Sequence, residues 1–86
     1  MIENGKPVRL QLMIQELAAK LNRFASAVPG ATGVNVSTAT GLYNQANAFR
    51  NSAVVAFENE WHARGSSCAR QGLGKINLAL SLIGAF

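Results

Sequence analysis

The sequence predicts an all-α fold, a small helical hairpin or three-helix bundle, that associates into oligomers. Three stretches of this 86-residue chain repeat apolar side chains at steps of three and four residues, which is helical spacing. Hydrophobic residues make up 49 % of the chain and charged residues 14 %, against ~25 % in an average globular protein. We therefore predict one helical domain over residues 1–86, with apolar surface left for a partner or for further copies.

The first predicted helix covers residues 7–28. Pro7 suits the first position of a helix, because the N–H that it lacks would be unpaired there. The apolar stripe consists of Leu10, Ile14, Leu17, Leu21, Phe24 and Val28. Its packing anchors are Leu17, Leu21 and Phe24. Pro29 and Gly30 end the helix, since Pro29 cannot continue it and Gly30 frees the backbone.

The second predicted helix covers residues 39–64, a stretch without proline. Its candidate N-caps are Ser37, Thr38 and Thr40. Its stripe consists of Leu42, Ala46, Phe49, Ala53, Phe57 and Trp61. The packing anchors of this helix are Phe49, Phe57 and Trp61, while its small side chains let a neighbouring helix approach closely.

The third predicted helix covers residues 67–85 and follows a break at Gly65, Ser66 and Ser67. One face carries Ala69, Leu73, Ile76, Leu80 and Ile83, and a second face carries Leu78 and Leu82. A helix that is apolar on two faces is buried on both or contacts a partner. We therefore predict an intermolecular contact formed by Leu78, Leu82 and Phe86 and extending to Leu73 and Ile76.

No group of residues predicts catalysis, so we predict that the protein is not an enzyme. Glu58 and Glu60 are two residues apart on a helix and point in different directions. His62 is the only histidine and Cys68 the only cysteine, which predicts neither a metal site nor an intrachain disulfide. The glycines around Leu73 follow no strand and lack the spacing of a P-loop, so we predict no cofactor.

The net charge of +4 comes from eight basic and four acidic residues, and no two basic residues are adjacent. A nucleic-acid footprint is usually a cluster or a stripe of cations. The break around Gly65 is compatible with a helix-turn-helix, but the segment after it offers few side chains to DNA. These are Arg70, Gln71, Lys75 and Asn77.

The leading function is self-assembly or binding of another helical protein, as a structural subunit or a small adaptor. One alternative is a small basic nucleic-acid-binding regulator, and a second is a membrane-surface helical protein that uses residues 73–86. The N-terminus lacks a secretory signal, and no apolar run approaches the ~20 residues that span a membrane. We therefore expect a cytoplasmic protein or one exported by a signal-independent route.

Overall fold

Three helices pack into a bundle, and the all-α prediction is confirmed for the part of the chain that the structure describes. This computed structural model describes residues 2–3 and 6–85, with side chains from Val8 onward. Helix α1 spans Val8–Ala27, α2 spans Asn35–Glu58 and α3 spans His62–Leu82. The bundle measures 45 × 16 × 14 Å, a rod whose length follows from its helices, since α2 alone is ~36 Å long.

The first helix lies close to its predicted bounds. Before it, Ile2–Glu3 pairs antiparallel with Lys6–Pro7, a ladder too short to add a sheet layer to the fold. After it, Val28–Gly30 forms a 3₁₀ turn with Pro29 inside. The proline therefore ends α1 as predicted from its missing N–H.

Helix α2 begins at Asn35, four residues before its predicted start. The predicted caps Ser37, Thr38 and Thr40 consequently lie inside the helix. There the Thr40 hydroxyl donates to the carbonyl of Val36 at 2.8 Å, so it forms a hydrogen bond within the helix and does not cap the N-terminus. The chain turns at Gly33, which has a φ of +110°, a backbone conformation that glycine adopts with little strain.

The largest difference from the predicted bounds lies between α2 and α3. The sequence indicated a break at residues 65–67, whereas the chain turns at residues 59–61. Glu60 has a φ of +62°, the left-handed conformation that ends many helices. The amide of Trp61 donates to the carbonyl of Ala56 at 2.8 Å and that of Glu60 to Phe57 at 3.2 Å. These two bonds form a Schellman motif, which satisfies carbonyls at the helix end.

We expect Glu60→Gly to raise the free energy of unfolding by about 1 kcal/mol, because the left-handed conformation strains an L-residue and not glycine. Gly84, with a φ of +71°, follows α3 in the equivalent position. Gly84→Ala is therefore the matched control and should be destabilising. Urea unfolding followed by circular dichroism measures both. A less stable Glu60→Gly protein would contradict this account of the turn.

Helices α2 and α3 pack along a seam of small residues that recur every seven positions. The buried members are Ala39, Ala46 and Ala53 on α2 and Gly65, Gly72 and Ala79 on α3. A seven-residue step keeps these positions on the side of each helix that faces the other. Small side chains at this spacing let the two backbones approach closely.

Helix α1 lies over this seam and places two leucines above its two glycines. A Cβ at Gly65 would lie 2.8 Å from Leu10 Cδ2, and a Cβ at Gly72 would lie 2.6 Å from Leu17 Cδ2. The two leucines are seven residues apart, as are the two glycines, so α1 runs parallel to α3. Leu10 therefore occupies the space that a side chain at position 65 of α3 would need, and glycine leaves that space free.

Candidate functional site

Among the described residues predicted to form the intermolecular contact, Leu78 is the exposed one. Ile76 is fully buried and belongs to the core of a single chain, because it packs in a cluster to which all three helices contribute. Leu73 and Leu82 are half-buried against the same core cluster. Leu78 is 52 % exposed. Phe86 lies outside the described residues, so a contact through Leu78 and Phe86 stays a prediction.

The predicted packing anchors divide into three groups. Those on α1 are fully or almost fully buried: Leu17, Leu21 and Phe24. Phe49 and Phe57 on α2 are half-buried. Trp61 is 49 % exposed, because the turn at residues 59–61 takes it off the stripe that the sequence pattern assigned to α2. The tryptophan is thus a surface residue of the described chain.

A groove runs between α2 and α3, and no α1 residue lines it. One cleft of about 410 Å³ is lined by Gln45, Ala48, Phe49, Ser52, Gln71 and Lys75. A second cleft of about 320 Å³ is lined by Asn51, Ser52, Val55, Trp61 and Arg64. Ser52 lines both clefts, so they adjoin, and we call the pair the α2–α3 groove.

Trp61 forms one end of this groove. The Arg64 guanidinium carbon lies 5.0 Å from the centroid of the indole ring, a cation–π contact. Val55, in the same cleft, is 51 % exposed. A further cleft of about 520 Å³ is lined by Trp61, His62, Ala63 and Arg64. The indole therefore lies between two surface clefts and is accessible from both.

The charges in the groove have one sign. Arg64 and Lys75 line its two clefts, and no acidic side chain does. The nearest acids in sequence, Glu58 and Glu60, are exposed at the end of α2 and line neither cleft. The groove combines an apolar lining with two cations. These cations come together through the packing of α3 on α2 and not through a run of basic residues in the sequence.

Chemistry-bearing side chains are scattered over the described part of the chain. No polar or charged side chain among residues 8–85 is buried, and the described residues contain no group of three or more His, Cys, Asp or Glu that could hold a metal. Cys68 is a half-buried free thiol against the smaller core cluster. His62 keeps its Nε2 atom buried without a hydrogen-bond partner.

The sequence pattern did not identify the groove. The residues of α3 that line it are polar or charged: Arg64, Gln71 and Lys75. Hydrophobic periodicity does not register such positions, because it weights large apolar side chains.

Comparison of the chain with known protein families, curated proteins and solved structures found no match. Within residues 2–3 and 6–85, no helix is both long and apolar enough to cross a membrane.

Proposed function

We propose that this protein acts without catalysis, by binding helical proteins through the α2–α3 groove, as a structural subunit or a small adaptor. The observation that carries the proposal is the exposed Trp61, which lies beside Arg64 and Val55. Tryptophan and arginine are the residue types most enriched at the energetic centres of protein interfaces. The indole contacts a cation and lines the same cleft as an exposed aliphatic side chain, so a partner would meet apolar area beside a positive charge.

The free energy of burial supports the same proposal. Burying a large apolar side chain is worth about 1.5–3 kcal/mol relative to full exposure, and half of that remains available at Val55 and Trp61. Leu78 is also exposed but lines neither cleft. A partner that covers Val55 and Trp61 recovers this free energy, which a single chain in water does not.

Nucleic-acid binding is the weaker candidate because α3 packs against both other helices. Its exposed positions include Arg64, Ser67, Arg70, Gln71, Gly74, Leu78 and Ser81. A recognition helix needs several exposed side chains that reach bases or phosphates, and two of these seven are cations.

Site-specific cross-linking in cells tests the proposal. A photo-reactive amino acid that replaces Ser52 lies in the groove, and the same amino acid in place of Gln15 lies on the exposed side of α1. We expect discrete protein adducts from position 52 and none of the same masses from position 15. An adduct of twice the chain mass identifies self-assembly, and a larger discrete adduct identifies another protein. Adducts to nucleic acid, or none to protein from position 52, would overturn the proposal.

A further inference from the structure

We infer that the α2–α3 groove takes an acidic amphipathic helix of a partner protein, an inference that rests on the proposed function. The mode is that of a helix lying in a groove, in which apolar side chains one turn apart enter the groove and flanking charges set the orientation. Two features of the described residues lead to this partner: the chemistry of the groove lining and the sign of its charge.

The lining of the groove matches an apolar stripe with polar edges. Phe49, Val55 and Trp61 supply apolar surface, and Ala48 and Ser52 add small side chains to the lining. The remaining neutral side chains are amides that can donate to or accept from a helix edge: Gln45, Asn51 and Gln71. Such a lining favours a helix with leucine-type side chains in its centre.

The charge of the groove selects the sign of the partner. Arg64 and Lys75 are separated by about three turns of α3, or ~16 Å, so they stand at separate points along the groove. Glutamates at similar separation on a docked helix would face both cations. A basic helix would meet like charge, which costs affinity and slows encounter.

The charge of the groove also favours another protein over a second copy of this chain. A copy brings a net charge of +4 and a groove that again carries only cations. Two copies joined groove to groove would place Arg64 and Lys75 of each chain in one uncompensated interface. An acidic helix neutralises the two cations instead, so charge complementarity favours it.

Two synthetic peptides of about 18 residues test this, each presenting the same leucine face over the length of the groove. One carries glutamate at the flanking positions and the other carries lysine. Trp61 is the only tryptophan of the chain, so its fluorescence reports occupancy of the groove directly. We expect the glutamate peptide to shift the emission to shorter wavelength and to shield Trp61 from acrylamide, with affinity that falls as salt rises. The lysine peptide should do neither.

Charge reversal in the full chain supplies the matched control. Lys75→Glu should weaken binding of the glutamate peptide by about tenfold and improve binding of the lysine peptide. Arg23→Glu makes the same change of charge on the exposed side of α1 and should leave both affinities within about twofold, since a charge distant from the groove is largely screened.

Several results would overturn the inference. These are equal binding of the two peptides, no binding of either, or equal loss of affinity in the two charge variants. A concentration-dependent shift of Trp61 emission without peptide, with dimer mass in light scattering, would instead assign the groove to a second copy. Cross-linking from position 52 in cells reports separately on the proposed function, so a protein adduct together with indifferent peptides would reject only the acidic partner.

Discussion

Leu17→Ala is expected to lower the free energy of unfolding by about 2–5 kcal/mol, the range for removing a buried leucine side chain. Leu17 is fully buried, and its Cδ2 atom lies over Gly72 where all three helices meet. Because Gly72 has no side chain to move into the vacated space, the cavity closes poorly and the cost should fall in the upper part of that range.

Leu12→Ala is the matched control for this change. Leu12 lies on the same helix and is 58 % exposed, so we expect its replacement to alter stability by no more than about 0.5 kcal/mol. Urea unfolding followed by far-ultraviolet circular dichroism gives both values. If the two variants lost similar stability, Leu17 would not be the contact that holds α1 on the hairpin.

Helix α1 shows where reasoning from the sequence works well. Its large apolar residues follow one stripe, and the positions assigned as anchors, Leu17, Leu21 and Phe24, are buried. Pro29 supplies a strong local stop, because the missing N–H and the clash of the ring disfavour a continuing α-helix. Where local chemistry and periodicity agree, as they do here, the sequence is sufficient to place the element.

The end of α2 shows why the same rules fail elsewhere. Glycine is the usual residue at the left-handed position after a helix, so the sequence predicted the break at Gly65. The chain instead uses Glu60 at that position and keeps Gly65 inside α3 beneath Leu10. Only the packing of α1 on α3 distinguishes a glycine that ends a helix from one that makes room for a neighbour, and that packing is not local information.

The groove could not be predicted from the sequence for a related reason. Its lining joins residues of α2 to residues of α3, and which ones meet depends on where the hairpin turns. With the turn placed at Gly65 instead of at Glu60, Arg64 and Lys75 would not face the same α2 residues as they do. The exposed Trp61 follows from the same turn, since a continuous helix to residue 64 would have kept it on the buried stripe.

Gly72→Ala is expected to destabilise the protein, whereas Gly74→Ala, two residues further along α3, is expected to stabilise it. Both changes add the same methyl group and gain about 0.5–1 kcal/mol of helix propensity. At Gly72 the new Cβ would lie 2.6 Å from Leu17 Cδ2, 3.2 Å from Phe49 Cβ and 3.4 Å from the Ala46 carbonyl oxygen. At Gly74 it would meet nothing within 4 Å.

The balance at Gly72 depends on whether Leu17 can move. Its Cδ2 atom is the end of a flexible side chain, but the residue has no exposed surface into which that end could swing. Overpacking of this kind costs about 1–3 kcal/mol, which exceeds the gain in helix propensity. Urea unfolding should therefore place the Gly72→Ala protein about 1–3 kcal/mol below the Gly74→Ala protein.

A double variant identifies the clash as the cause. In a Leu17→Ala background the atom nearest the new Cβ is absent, so Gly72→Ala should cease to be destabilising and should recover part of the stability that Leu17→Ala removes. This non-additivity is the signature of two residues in direct contact. If Gly72→Ala is equally destabilising with and without Leu17, its cost comes from the α2 side of the seam, at Phe49 and Ala46, and the leucine-over-glycine account of how α1 docks would have to be abandoned.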